Sequence, residues 1–380
     1  MEFICERKKL QTGVSAVDRI VATRSTLPII GNLLFETKKN TLKISANNLE
    51  IGIELGLEAK VEKEGAALIP AKTFAGIVSK LPESNISFKL MEKGAMRVSY
   101  NNSFFNINIL PPDEFPMLPK VKDGKSFNID AQVFIGMIRQ VIFAVSSNED
   151  KYVLTGVLLE VGKGSMTGDS SNVRMVSTDG YRLVKRSEKI KLDEEVKISA
   201  IVPAKALQEI ARIIDSSDAE GEVKITISKD QIAFKYKEVY LVSRLIQGQF
   251  PDYKQVFPKK SSTKVVVKTK NFLEAAERAA VVASGSANIV RFETKDGEVH
   301  LVASTPDVGS IDEIIEAEIK GNSKFQIAFN IRLITDMLKT VTTDSVVVEL
   351  TETLGPGVIK QSEKGEFLYI VMPIRTQEAA

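Results

Sequence analysis

Apolar residues at i, i+3, i+4 and i+7 follow two nearly identical phrases, Ala67-Leu68-Ile69-Pro70-Ala71-Lys72 and Ala200-Ile201-Val202-Pro203-Ala204-Lys205. Phe74, Ile77, Val78 and Leu81 come after the first, and Leu207, Ile210, Ala211 and Ile214 after the second. The spacing predicts a short amphipathic helix in each place. A proline is tolerated at a helix start because its missing N–H has no helical acceptor there. A fainter copy begins at Phe329-Asn330-Ile331-Arg332, where Ile334, Met337, Leu338 and Val341 keep the spacing and Arg332 replaces the lysine. Three copies point to one domain used three times.

A second helical pattern opens each copy. Leu10, Val14, Val17 and Val21 form it in the first, Phe134, Met137, Ile138, Val141, Ile142 and Val145 in the second, and Phe272, Ala275, Ala276, Ala279, Ala280 and Ala283 in the third. The alanine face implies close packing. Paired strands follow: Leu33 to Phe35 with Leu42 to Ile44, Val157 to Leu159 with Arg174 to Val176, and Val290 to Phe292 with Val299 to Val302, the last joined by the turn Lys295-Asp296-Gly297-Glu298. Alternating runs such as Ile86 to Leu90 and Val223 to Ile227 read as half-buried antiparallel strands. Each copy closes on a proline, at Phe115-Pro116, Phe250-Pro251 and Met372-Pro373. The fold class is therefore α+β, three repeated domains of two helices against antiparallel sheets. Boundaries at the charged stretch Lys122 to Lys125 and at Pro258 to Thr263 give domains 1–124, 125–258 and 259–380.

Composition narrows the chemistry. A single cysteine, Cys5, and a single histidine, His300, exclude a disulfide framework and a His/Cys-rich metal site, so no metal or cofactor is expected. Cys5 reads as a buried strand residue. The start lacks a signal-peptide core and no apolar run reaches membrane-spanning length, so a soluble cytoplasmic protein without membrane partners is expected. The net charge is only +2, but the six helical stretches carry about +9 and the remainder about −7. Basic bias recurs in five of the six, with Lys72, Lys80, Arg139 and Lys205 among the carriers. A basic face repeated this way suits one long polyanion, although on any single helix it is an ordinary solvated surface.

No catalytic constellation emerges. Val161 to Asp169 has phosphate-cradle glycines but lacks the Gly-Lys-Ser/Thr ending, and reads as a loop. Asp179 lies in Thr178-Asp179-Gly180, which reads as a turn with no accompanying base or nucleophile. His300 occupies a strand surface position, and Leu354-Gly355-Pro356-Gly357 reads as a turn.

Four motifs, in this order, carry a resemblance: Thr26-Leu27-Pro28-Ile29-Ile30-Gly31-Asn32; Ser177-Thr178-Asp179-Gly180-Tyr181-Arg182-Leu183; Phe250-Pro251-Asp252-Tyr253 with Phe257-Pro258-Lys259; and Tyr369-Ile370-Val371-Met372-Pro373-Ile374-Arg375. Over essentially its whole length the chain resembles the beta subunit of bacterial DNA polymerase III, the processivity sliding clamp family. The resemblance implies a head-to-tail homodimer, a ring of six domains with helices lining the hole. Twelve helices at about 10 Å each make a wall of roughly 120 Å and a hole of roughly 25 to 30 Å, wider than B-form DNA. It implies a non-enzymatic clamp on double-stranded DNA without sequence preference, with Arg24, Lys72, Lys205, Arg139 and Lys80 toward phosphate. The implied partners are DNA polymerase III and other polymerases, a clamp-loader complex, and repair proteins carrying clamp-binding peptides.

The resemblance also implies an apolar peptide pocket walled by Thr178, Gly180, Tyr181, Arg182, Leu183, Pro251, Val256, Leu354, Pro356, Val371, Met372, Pro373, Ile374 and Arg375, extended by Lys151, Tyr152 and Leu154. Tyr181 stands where many members have histidine, and Thr376 to Ala380 run past the usual end. Phe105 and Ile107 on an edge strand would meet Val281 and Val282 of the second chain. Thr178 to Leu183 and Met372 to Arg375 find no counterpart in the first copy, which implies one pocket per chain. Two other readings stand beside this one: a monomeric repeat scaffold binding only proteins, and a hydrolase using Asp179.

Overall fold

Alternating apolar positions become antiparallel strands in the computed structural model, which describes residues 1–22, 27–92, 94–162, 172–192, 196–258, 260–361 and 366–375. Six α-helices interrupt them within these residues: α1 Arg7–Val17, α2 Ala71–Val78, α3 Ala131–Val141, α4 Ala204–Asp215, α5 Thr269–Ala283 and α6 Ile331–Leu338. The threefold phrase of the sequence has one structural meaning. In each copy the strand that runs into the second helix pairs with the first strand of the hairpin, giving Asn32↔Pro70, Gly156↔Pro203 and Ile289↔Asn330. Pro70 caps α2 without a side-chain bond. In the third copy Asn330 stands in its place and accepts from Arg332 N at 3.0 Å, so a side-chain cap replaces the rigid φ of proline.

The chain divides into two compact units, residues 1–132 with 205–245 and residues 133–204 with 246–380, so the middle copy contributes to both. In unit one, strands Lys60–Lys63, Glu2–Glu6, Asn85–Met91, Ala95–Tyr100 and Ser103–Asn108 form a five-stranded sheet in that order. An eight-stranded sheet joins the first copy to the second by pairing Ile51–Glu58 with Val239–Arg244, Ile53 opposite Leu241. Helix α1 buries Leu10, Val14 and Val17. It lies so close to the sheet that a Cβ on Gly13 would fall 2.7 Å from Leu57 Cδ1. Phe74 of α2 meets Phe35 edge to face at 5.3 Å, and α4 buries all four predicted residues. Arg212 of α4 donates to the Ala16 carbonyl at 3.0 Å, tying α4 to the end of α1.

Unit two holds one twelve-stranded sheet. Its middle- and third-copy strands meet where Arg182–Glu188 pairs with Phe367–Val371, Val184 opposite Tyr369. The buried alanines of α5 pack against the sheet and α6, while Ala280 is only half-buried. The turn after Lys295 has φ of 50° at Asp296 and 86° at Gly297, the double left-handed geometry that a two-residue hairpin requires.

The helical patterns overrun their helices. Val21, Leu81, Val145 and Val341 all lie past the last helical residue. They still turn inward, Val21 and Leu81 fully and the other two in part, because a tight turn keeps apolar contact without α geometry. Cys5 lies buried on Glu2–Glu6, and burial pushes its thiol up to about 11. No helix among the described residues is long and apolar enough to cross a membrane.

Candidate functional site

The turn before Arg182–Glu188 is built by its own polar side chains. Asp179 Oδ1 accepts from Tyr181 N at 2.9 Å and Arg182 N at 3.0 Å, and its Oδ2 accepts from Arg182 Nε at 3.0 Å. Thr178 Oγ1 accepts from Gly180 N and donates to the Arg182 carbonyl. Gly180 has φ of 96°, where a side chain would be strained. Asp179 is thus committed to turn bonds on both oxygens, which removes the support a hydrolase reading would need.

Arg182 carries the turn into the body of unit two. It donates to Asp336 Oδ2 of α6 at 2.8 Å and to the Phe143 carbonyl at 2.7 Å, and its guanidinium lies 5.2 Å from the Phe143 ring centroid. Burial pulls its pKa down, but Asp336, Tyr369 and Asp179 together outweigh that and hold it above the ordinary value. Tyr369 is buried and donates to the Leu333 carbonyl at 2.6 Å, and burial raises its hydroxyl.

Beside this turn opens a cavity of about 290 Å³, lined by Leu154, Thr178, Gly180, Arg182, Leu183, Pro251, Val256 and Met372 of the predicted wall. Asp252, Tyr253 and Ile370 complete it. Tyr253 stands on a short turn, Tyr253–Val256, and donates to Glu160 Oε2 at 2.7 Å; burial first, then this bond, raises its pKa. Ile370 was detectable from strand alternation, since 370 and 372 share a face and Val371 points the other way. Val371 is buried, opposite both Arg182 and Gly357.

The remaining predicted wall residues lie outside the cavity lining. Lys151 donates to the Asp179 carbonyl at 3.2 Å and sits 5.5 Å from the Tyr181 ring, while Tyr152, Tyr181 and Leu354 are exposed. Pro356 and Pro373 are half-buried, Ile374 donates its N–H to the Ala328 carbonyl, and Arg375 is exposed. The tail Thr376 to Ala380 lies outside the described residues, as do Arg24, Thr26, Lys259 and most of the glycine-rich stretch from Val161 to Asp169. The cavity is a mostly apolar socket whose lining includes the hydrogen-bonded Thr178 and Arg182. It can hold an aliphatic or aromatic side chain of a bound segment while nearby main-chain groups remain available for hydrogen bonds.

The expected basic residues Lys72, Lys80, Lys205 and Arg139 are all exposed. The first three have no ion-pair partner among the described residues, and neither has Arg332 of the third copy, whereas three other helix cations of that copy are paired. Lys270 pairs with Glu274, Arg278 with Glu313 at 2.6 Å and Lys339 with Glu277 at 3.1 Å. His300 is partly buried rather than fully on the surface, its Nδ1 3.0 Å from Asp312. On the edge strand Ser103–Asn108, strand alternation turns Ile107 into its own sheet and half-buries Phe105, leaving Phe104 59% exposed beneath Arg97. Val281 is exposed and Val282 half-buried at the end of α5.

One expectation is corrected. The turn Thr178 to Leu183 does have a counterpart in the first copy, at Asn47 to Gly52, hidden because the residue types differ while the three bonds from main-chain N–H groups to the side-chain oxygens are the same.

Comparison with known proteins matches the whole repeat. The family models "DNA polymerase III beta subunit, N-terminal domain", "central domain" and "C-terminal domain" match residues 1–119, 128–252 and 254–375. The beta sliding clamp of Halalkalibacterium halodurans is 31% identical over 99% of this chain and 100% of its own length. The crystal structure of the Bacillus subtilis DNA polymerase sliding clamp is similar at 28% identity, TM-score 0.93 and 99% coverage of both chains. A Pseudomonas aeruginosa sliding clamp solved bound to griselimycin is similar at 26% identity, TM-score 0.92, covering 99% of this chain and 100% of that one.

Proposed function

This chain belongs to the DNA polymerase III beta subunit family, and from that premise we propose that it is a DNA sliding clamp, two copies of which close head to tail into a ring around duplex DNA. The observation that carries the closure is the way copies join within each unit. Val239–Arg244 pairs antiparallel with Ile51–Glu58, and Phe367–Val371 pairs antiparallel with Arg182–Glu188. The equivalent third pair of strands is left unjoined. Ser103–Asn108 has a neighbour on one side only, and residues 309–316 of strand Gly309–Gly321 pair only with Glu298–Thr305 among the described residues. A second copy brings these edges together and hides both. In that joint the strand edge, with Phe105 and Ile107 on one face and Phe104 on the other, meets Val281 and Val282.

Lys72, Lys80 and Lys205, with Arg24 and Arg139, are the proposed phosphate contacts. Sliding needs few of them, because each firm contact adds friction and salt dependence. The cavity of unit two is the proposed site for clamp-binding peptides of the polymerase, the clamp loader and repair proteins, with Lys151, Tyr152 and Tyr181 at its rim. Domains of 1–124, 125–258 and 259–380 fit this assembly, the strand Thr263–Lys268 opening the third. Light scattering tests the closure: a mass of two chains is expected, and a single-chain mass at micromolar concentration would return the protein to a monomeric scaffold.

A further inference from the structure

The turn Asn47 to Gly52 in unit one repeats the main-chain capping bonds of the pocket turn of unit two, although Ile51 replaces Arg182 and its side-chain bonds, and Asn47 Nδ2 donates instead to the Pro116 carbonyl at 3.0 Å. Asn47 Oδ1 accepts from Leu49 N at 2.8 Å, where Thr178 Oγ1 accepts from Gly180 N at 3.1 Å. Asn48 Oδ1 accepts from Glu50 N at 3.1 Å and Ile51 N at 2.8 Å, where Asp179 Oδ1 accepts from Tyr181 N and Arg182 N. Arg244 N donates to the Glu50 carbonyl at 2.9 Å, as Met372 N donates to the Tyr181 carbonyl at 2.9 Å. Pro116 and Pro251 each follow a buried phenylalanine. Beside the first turn, as beside the second, there is a cavity, here of about 160 Å³ against Leu49, Pro116, Met117, Val242 and Arg244.

The differences define what this cavity holds. Gly52 stands where the other turn has Leu183, a Cβ there would lie 2.8 Å from Leu118 Cγ, and the cavity is the smaller of the two, about 160 against 290 Å³. At the mouth Leu49 is 45% and Met117 75% exposed, an apolar pair open to solvent. Arg244 takes the place of Met372, is exposed, and has no ion-pair partner among the described residues. Glu50 is also exposed and has no ion-pair partner among the described residues, so the mouth favours a single acid placed on the Arg244 side.

We propose that this cavity is a second peptide site, taking an extended segment of a protein partner whose acidic side chain pairs with Arg244 and whose aliphatic side chain covers Leu49 and Met117. The peptide class rests on the reading of the larger cavity as a peptide site. The probe is the synthetic peptide Ac-Gly-Asp-photoleucine-Leu-Gly-NH2, irradiated with the full-length protein and mapped by mass spectrometry, beside a version with Lys for Asp.

The expected result is labelling at Leu49 or Met117 as well as at Val256 or Met372. Arg244→Glu, a surface change that leaves the sheet intact, lowers the first by at least about threefold and leaves the second unchanged. The lysine peptide loses the first label in the same way. Labelling at Val256 or Met372 alone overturns the second site and leaves the larger cavity's reading standing. Labelling at neither place overturns both. First-site labelling indifferent to Arg244→Glu or to the lysine peptide overturns the acidic recognition and with it the proposal.

Discussion

Arg182 Nη1 lies 2.8 Å from Asp336 Oδ2, and this pair fixes the pocket turn to α6. Asp336 is half-exposed, whereas the Arg182 side chain is only 10% exposed and retains Asp179 and the Phe143 carbonyl as partners. Asp336→Asn therefore loosens the turn without stranding a charge. Peptide affinity for the unit-two cavity is expected to fall by roughly fivefold, equivalent to about 1 kcal/mol. Calorimetry with a clamp-binding peptide checks this, and an unchanged affinity would separate the pocket from α6.

Removing the residues after Val371 deletes Met372 from the cavity wall and the Ile374 bond to Ala328. Peptide binding is expected to weaken severely while the dimer persists, because the proposed joint lies elsewhere. Anisotropy and light scattering on one sample read both effects. A split dimer would count against the pocket assignment.

Replacing Lys72 and Lys205 by alanine tests the basic helices of unit one. Each lysine that no longer neutralises a phosphate should reduce the slope of log K against log salt by about 0.9. A slope unchanged in the double variant would move the DNA-facing surface to other residues.

Phe104→Asp and Ile107→Ala separate the two roles on the edge strand. The first removes the exposed ring from the proposed joint, leaving a carboxylate beside Arg97 in its place, and is expected to yield folded monomers by sedimentation. The second leaves a cavity inside the sheet, costing about 2 to 5 kcal/mol of monomer stability. Dimers that survive Phe104→Asp would shift the joint off this strand.

Cys5 supplies a pH signature. Its thiol is raised above its ordinary value of 9.0 to about 11 by burial, so the unfolded chain ionises first. The stabilising contribution is whole below about pH 9 and is lost as pH rises toward 11. Denaturant melts of Cys5→Ser should show less loss between those pH values than the parent, and parallel curves would remove the thiol as the cause.

The repeat, the helices and the hairpins were legible because apolar periodicity is set by backbone geometry, which a linear pattern records directly. Helix ends were less so: Leu81 and Val21 keep the apolar period although the backbone has already left the helix. In the cavity, Leu154, Leu183 and Met372 came from the resemblance, while Ile370 required knowing which face its strand presents and Tyr253 how the turn Tyr253–Val256 packs. The first-copy turn stayed hidden because Asn47 and Asn48 make the bonds of Thr178 and Asp179 with different atoms. That its own sheet covers the Phe105 and Ile107 face of the edge strand was not legible either, since alternation alone does not say which face is covered.

Topological linkage is the central claim, and retention on circular DNA tests it most directly. Protein placed on a nicked circle by its loader is expected to remain through gel filtration in high salt and to leave once the circle is cut with a restriction enzyme. Equal retention on the circle and on the cut DNA would contradict a ring and require a gripping contact instead.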